Sequence, residues 1–337
     1  MKAVRLHDRL DLRVDEVDRP PPPLPGHVNV AVRSAGICGS DLHNYRTGKW
    51  ISRRPLTAGH EFCGRVTALG ADVGDLAVGD LVVADSRFWC GRCAACRAGL
   101  PNICETLGFV GEVCDGGFAE EVQLPARLLV RHDPALDPRI ATLAEPLAVA
   151  LHTVRRLAPP SGEPVLVAGC GTIGGLAALV LSRLHDGPVL VSDLNASRAG
   201  LVSRLAGASI VTLDEADVAR ALSGRRLRHA IDATGSTQAI SMALDLLAGG
   251  GALAMVGISH GKIELDPNLI VEREIALVGC HAFAAELPEA VAMLPALAPA
   301  LAEVIDVLTA LEDVPQAYER LLEGGGSALK TVVSIAD

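Results

Sequence analysis

Aromatic side chains are scarce: Trp, Tyr and Phe together make up 3% of the 337 residues. The core must therefore be filled by Ala, Val, Leu and Ile, within a hydrophobic fraction of 50%. An excess of basic charge is also missing. Lys and Arg number 30 against 40 Asp and Glu, a formal charge of −10. That balance excludes the basic face a nucleic acid requires and argues against an anionic membrane surface. The first twenty residues carry Lys2, Arg5, Asp8, Arg9 and Asp11 and no apolar stretch, so no secretory signal is expected. One uncharged run, Pro164 to Ser182, is long enough to imitate a membrane span, but it holds Gly169, Gly171, Gly174 and Gly175. It reads as strand, turn and helix. The expectation is a soluble cytoplasmic protein whose nine cysteines are metal ligands or buried thiols, not disulfides.

A single core rarely grows past about 250–300 residues, which favours two domains. The first third is rich in strands and turns. "HVNVAVRSAG" alternates with Val28, Val30 and Val32 on one face, and "VGDLVVAD" is a second strand after a Gly-Asp turn. Near Glu145 the character changes. "AEPLAVALHTVRRL" is helical in pattern, and from "PVLVAG" onward strands and helices alternate. That rhythm predicts a doubly wound parallel sheet, an α/β fold. Beyond Glu272 come a strand, two helices and a closing strand, "LKTVVSIA".

"CGRCAACRAGLPNIC" places Cys90, Cys93, Cys96 and Cys104 within fifteen residues. Four thiolates so spaced suit tetrahedral zinc at about 2.3 Å per sulfur, with Gly91 and Gly99 easing the turns. A site with all four positions filled is structural. An iron–sulfur cluster has similar needs, but its bacterial spacing ends C-x3-C-P. Cys114 is an alternative fourth ligand. A second set is dispersed: Cys38 in "GICGSDLHNY", His60 and Glu61 in "GHEFCG", and Glu145 at the head of "EPLAVALH". Singly each has an ordinary reading as core or surface. Together they offer one sulfur, one nitrogen and two carboxylates, enough for zinc with an exchangeable position.

"VLVAGCGTIGG" gives Gly169, Gly171 and Gly174 as G-x-G-x-x-G after a strand and opening a helix, with Thr172 and Ile173 in its first turn. In that context the motif reads as a dinucleotide fingerprint. Asp193 ends the next strand, where a carboxylate accepts the adenine-ribose hydroxyls and repels a 2′-phosphate, favouring NAD over NADP. The alternative is that Asp193 caps the following helix. Arg198, five residues on, would weaken the preference by shielding it.

"GHEFCGRVTALGADV" resembles the signature of the zinc-containing alcohol dehydrogenases, with Gly59, His60, Glu61, Gly64, Gly70 and Val73 in register. "CGSDLH", "EPLAVALHT" and "VSDLNASR" resemble the polyol branch of the medium-chain dehydrogenase/reductase superfamily, the sorbitol and L-idonate 5-dehydrogenases. The resemblance implies a GroES-like, mostly β catalytic domain over 1–147 and 279–337 and a Rossmann NAD-binding domain over 148–278. It implies Cys38 and His60 as ligands of a catalytic zinc, with Glu61 a ligand or exchanging with water. Glu145 stands where the ethanol-active branch has a second Cys, beside the zinc directly or through water. Ser40 would take the hydroxyl proton and His43 pass it on. Val256 and Gly257, in "MVGIS", would line the nicotinamide side through backbone groups.

The same resemblance gives the reaction: zinc lowers the pKa of a secondary alcohol, and hydride passes to NAD. It also gives a homo-oligomer, tetramer or dimer. The pocket is expected to depart from sorbitol dehydrogenase. Asn44 follows the motif His where that branch has Tyr, with Tyr45 next, His281 stands near its Arg-Tyr pair, and Phe118 supplies an apolar side. A polyol, sugar acid or cyclitol is the expected substrate, with an amino alcohol such as threonine, or an aminocyclitol, as runner-up. A zinc-free quinone reductase would lack the Cys and His sets, and a nonenzymatic zinc protein would not need the fingerprint. His152, on the face of Glu145, is a candidate neighbour of the metal. Cys63, Cys170 and Cys280 are expected as buried thiols, and His7, His27, His132, His185, His229 and His260 as solvated.

Overall fold

The alternating Val28, Val30 and Val32 lie in the strand His27–Ile37 of the computed structural model, which describes residues 1–259, 261–324 and 326–335. The chain divides into two units, Met1–Glu145 with Leu287–Asp337, and Pro146–Glu286. In the first, His27–Ile37 is the central strand of a largely antiparallel sheet. It pairs with Glu61–Leu69 along one side and, on the other, with Glu121–Pro125 over its first half and Lys330–Ser334 over its second, and Lys330–Ser334 runs parallel to Ile305–Leu308. The core between the strands is Val28, Val30, Val66, Val82, Leu124 and Val333, with the few aromatics Phe62, Phe118 and Tyr318 at its centre. Scarce aromatics are thus concentrated where the largest volume must be filled.

The second unit is a six-stranded parallel sheet. Its spatial order is Ser209–Ile210, Val189–Ser192, Val165–Ala168, His229–Asp232, Ala252–Met255, Ala276–Gly279. The first strand in sequence, Val165–Ala168, lies at the centre, so the winding reverses between it and His229–Asp232. Dinucleotides bind outside the carboxyl ends of strands at such a reversal. The uncharged run resolves into Val165–Ala168 and the helix Thr172–Leu184. Among the described residues no helix is long and apolar enough to cross a membrane.

The structure divides the chain at Glu145 and Glu286 rather than at 147 and 278. The second boundary falls later for a physical reason. Ala276–Gly279 is a full strand of the parallel sheet, and Glu286 is bonded to His152 in the same unit. His152 therefore turns to Glu286 Oε1, at 3.0 Å, and not to a metal site. His132 and His229 are buried, not solvated, and His260 lies outside the described residues. Cys280 is only half-buried, while Cys63 and Cys170 are buried as expected.

Burial alone would raise the Glu286 carboxyl, but His152 and the N–H of Ala284 outweigh it and hold it at about 2. A carboxylate depressed in the folded state adds stability above its unfolded value of 4.5, lost as pH falls through about 2. Glu286→Gln is therefore expected to lower stability near neutral pH by about 2 kcal/mol. The gap between variant and parent should close as unfolding is measured from pH 5 downward.

Candidate metal centre and dinucleotide site

Cys38 ends the central strand and caps the helix Gly39–Thr47, so the chain leaves the sheet at the first donor. His60 and Glu61 enter the neighbouring strand, where Glu61 stands opposite Gly36. The donor atoms of Cys38, His60 and Glu61 lie within 4.8 Å of one another. Asp41 fixes two of them. Its Oδ2 accepts from the Cys38 N–H at 2.9 Å, and its Oδ1 lies 3.1 Å from His60 Nδ1. A carboxylate on Nδ1 leaves Nε2 as the free donor, the usual second partner of a metal-binding imidazole. Ser40 Oγ sits 3.5 Å from that Nε2.

Glu61 is 1% exposed, and its Oε1 has no hydrogen-bond partner. Its Oε2 is ion-paired with Lys330 from the strand on the far side of His27–Ile37. The pair bridges the central strand over Gly36, where a Cβ would stand 2.6 Å from Glu61 Oε2 and 2.9 Å from Lys330 Cε. Burial works against the Lys330 ammonium, but the Glu61 carboxylate outweighs it and holds its pKa above the ordinary lysine value. A buried oxygen without a donor, beside a sulfur and an imidazole nitrogen, fits a divalent cation of borderline softness. Lys330 escaped the sequence reading. Its only local signal is a charged residue opening an apolar strand.

Glu145 is buried but is not part of that close group. Ser86 Oγ donates to its Oε1 at 2.6 Å, and burial, then the charge of Glu61, push its carboxyl up to about 7. His43 is buried with its ring 4.6 Å from that of Trp50, on the same helix as Ser40 and three residues beyond it.

Of the residues expected to line the pocket, three are buried and one is exposed. Asn44 is buried, and its Oδ1 accepts from the Trp50 N–H at 2.9 Å. Tyr45 is packed edge-on against Tyr318, its hydroxyl donating to Leu10 O at 3.4 Å. Phe118 is fully buried under Gly59, whose Cβ would meet its ring at 2.7 Å. Asn44 and Tyr45 lie on the buried face of Gly39–Thr47, and Phe118 packs edge-on against Tyr318. His281 is exposed, in the second unit.

The four sulfurs of Cys90, Cys93, Cys96 and Cys104 also lie within 4.8 Å of one another, and Cys114 is outside the group. Backbone N–H groups of Arg92 and Cys93 point at Cys90 Sγ and draw its thiol down to about 6. Burial and the neighbouring sulfurs push Cys96 up to about 12. Four thiols cannot all ionise here without a cation among them, and that is the condition a bound zinc meets.

In the second unit Gly169 has φ +94°, and a Cβ on Gly174 would stand 1.8 Å from Gly169 O. A Cβ on Gly171 would meet nothing within 4 Å, and Gly171 caps Thr172–Leu184 without a side-chain bond. An open face over uncapped helix N–H groups, which Thr172 and Ile173 begin, is a cradle for phosphate. Asp193 does not cap the next helix; Asn195 does, accepting from Ser197 and Arg198 N–H. Asp193 instead ties the glycine loop to the strand end, accepting from Cys170 N at 2.6 Å and Asn195 N at 2.7 Å. The N–H groups of Val256 and Gly257 both donate to Asp232 O.

The alcohol dehydrogenase GroES-like domain matches residues 24–134, and the zinc-binding dehydrogenase family matches residues 173–296. L-galactonate-5-dehydrogenase of Escherichia coli is 32% identical over 76% of this chain and 77% of its own length. Sorbitol dehydrogenase of Bacillus subtilis is 28% identical over 99% and 97%. L-threonine 3-dehydrogenase of Cutibacterium acnes is 33% identical over 76% of each. Among solved structures, an Escherichia coli alcohol dehydrogenase complexed with NADH superposes with a TM-score of 0.90 at 27% identity over 99% of both chains. A Sinorhizobium meliloti zinc-binding dehydrogenase bound to NADP gives 0.90 at 30% identity, also over 99% of both.

Breaking a buried pair strands the surviving charge at a cost of about 3 to 5 kcal/mol. Lys330→Met should therefore destabilise the protein by roughly that amount. Gly36→Ala should do likewise by forcing the pair apart. Thermal or urea unfolding measures both, and Gly39→Ala, where a Cβ would meet nothing within 4 Å, is the silent comparison.

Proposed function

The chain belongs to the zinc-dependent medium-chain dehydrogenase/reductase superfamily, in its polyol branch, and from that premise we propose that it oxidises a secondary alcohol of a polyol, sugar acid or cyclitol to the ketone with NAD. The observation that carries this reading is the convergence of Cys38, His60 and Glu61 on one point beside the Ser40 hydroxyl. The first unit would hold two zinc ions, one at that point and one among Cys90, Cys93, Cys96 and Cys104. The second would hold the dinucleotide over Gly169, Gly171 and Gly174.

When bound, the metal polarises the alcohol oxygen and the nicotinamide accepts hydride. The chain's own groups do the rest. Asp41 holds the His60 ring with Nε2 toward the centre. Lys330 anchors one oxygen of Glu61, and the other, without a hydrogen-bond partner, would be available to a metal ion. Ser40 Oγ, the nearest hydroxyl to His60 Nε2, receives the substrate proton, and buried His43 takes it onward. Glu145, held by Ser86, acts at one remove from the close donors.

Asp193 presents its charge where the adenine ribose would lie, and this supports NAD. The solved relatives include one with NADH and one with NADP, so the NAD reading rests on the charge of Asp193. A second reading, an amino alcohol as substrate, is supported by the threonine dehydrogenase likeness.

A panel of polyols, aldonates, cyclitols and simple alcohols with NAD, followed by NADH absorbance, tests the reading. Polyhydroxylated alcohols should exceed ethanol; a clear preference for an unfunctionalised primary alcohol would contradict it. Asp193→Asn keeps an acceptor for the Cys170 N–H and removes the charge. It should shift the NAD-to-NADP ratio of kcat/KM toward NADP by about tenfold or more. An unchanged ratio would remove the ribose role from Asp193.

A further inference from the structure

Of the four donors expected at the catalytic metal, Glu145 alone stands outside the close group, and one hydroxyl holds it there. Its Oε1 accepts from Ser86 Oγ at 2.6 Å, and among the described residues nothing else donates to its carboxylate. Ser86 is 0% exposed and Glu145 6%. The bond is shielded from water, and its loss would leave a carboxylate oxygen in the interior without a donor.

The chain around Ser86 is built to keep that hydroxyl still. Asp85 and Arg87 flank it and close a fork. Asp85 Oδ1 accepts from the Arg87 backbone N–H at 2.9 Å and from Nε at 3.0 Å, and Oδ2 accepts from Nη2 at 2.7 Å. Both side chains are buried. A bidentate pair of this kind fixes direction as well as distance. The backbone is held too: Asp85 N–H donates to Leu128 O at 2.6 Å, and Ser86 O accepts from Val110 N–H at 2.8 Å.

The same segment lies beside the metal donors. Arg87 stands opposite Phe109, whose ring is 6.5 Å from the His60 ring. Thr142, three residues before Glu145, lies against Gly36: a Cβ there would stand 3.4 Å from Thr142 Cγ2 and 2.6 Å from Glu61 Oε2. Ser86 and Glu145 thus adjoin the group of Cys38, His60 and Glu61 from two sides, within one unit. Among the described residues the buried lysine and the buried arginine, Lys330 and Arg87, are already paired with Glu61 and Asp85. A Glu145 carboxylate released from Ser86 would therefore find its cation in the metal.

We infer that Ser86, kept in place by the Asp85–Arg87 fork, is a positioning residue that holds Glu145 off the catalytic metal, so that the exchangeable position there stays free for substrate. This rests on the dehydrogenase reading and deepens it. Ser86 acts through Glu145 and takes no part in the proton or hydride movement.

The test uses the full chain with cobalt(II) exchanged for zinc, whose visible spectrum reports the ligands around the ion, and imidazole as the probe of an open position. An ion among four cysteines has its positions filled and gives no response, so the imidazole-dependent change reads the other centre. Ser86→Ala removes a single oxygen. It should weaken imidazole binding by about tenfold or more, and lower kcat/KM on the best alcohol of the substrate panel to a similar degree. Glu145→Gln keeps an acceptor for the Ser86 hydroxyl but is a poor metal ligand. In that background Ser86→Ala should leave imidazole binding unchanged. A role confined to packing the strand would give the same loss in both backgrounds. That equal loss, or imidazole binding in Ser86→Ala equal to the parent's, overturns the inference. A parent whose second cobalt ignores imidazole overturns it as well, since the position would already be filled. In all three cases NADH formation leaves the dehydrogenase reading standing. A parent that holds cobalt only among the four cysteines lacks the centre itself, and the underlying reading fails together with this inference.

Discussion

The absence of a side chain at Gly36 is the constraint on which the metal centre depends. Glu61 and Lys330 come from the two strands flanking His27–Ile37 and meet across it. Any Cβ at Gly36 would occupy the space of that contact. Because the pair is 1% exposed on each side, each charge is tolerable only while the other is present. The Lys330 ammonium anchors one Glu61 oxygen, and the other is left buried and undonated, in a carboxylate that lies beside Cys38 and His60. The closing segment of the chain, through the parallel pairing of Ile305–Leu308 with Lys330–Ser334, is therefore part of the site and not an appendage to the sheet.

Asp41 performs a related function from the helix side. One carboxylate receives the Cys38 N–H and faces His60 Nδ1. Strand and helix are thereby locked at the residue where one ends and the other begins. The arrangement explains why sulfur, nitrogen and oxygen donors from two strands converge with little freedom. Ser86 extends the same logic: it holds Glu145, its carbonyl accepts from Val110, and the strand Arg87–Phe88 that follows leads to Cys90. The four-cysteine lobe, Glu145 and the segment around Val110 are thus joined within one unit.

The parts legible in the sequence are those encoded by short spacing. The four cysteines lie within fifteen residues, and G-x-G-x-x-G sits between its strand and helix, so local geometry specifies both. Asp193 was legible as a strand-end carboxylate, but its bond to Cys170 N required the parallel pairing of Val165–Ala168 with Val189–Ser192. Lys330 was not legible, because its partner Glu61 lies far away in sequence and becomes a neighbour only through the sheet. For Asn44, Tyr45 and Phe118 a resemblance fixes the position in the chain but not the face: Tyr45 and Phe118 pack edge-on against Tyr318, and Asn44 accepts from the Trp50 N–H.

Cys38, His60 and Glu61 form one donor group and the four cysteines another, and the proposed function needs a separate zinc ion in each. Metal analysis of the purified protein and of its Cys38→Ser variant, by mass spectrometry of the acid-released ions, tests it most directly. The account predicts two zinc ions per chain in the parent and one in the variant, with the fold and the four-cysteine ion retained. Equal zinc in the two proteins, or a single ion in fully loaded parent, would contradict it.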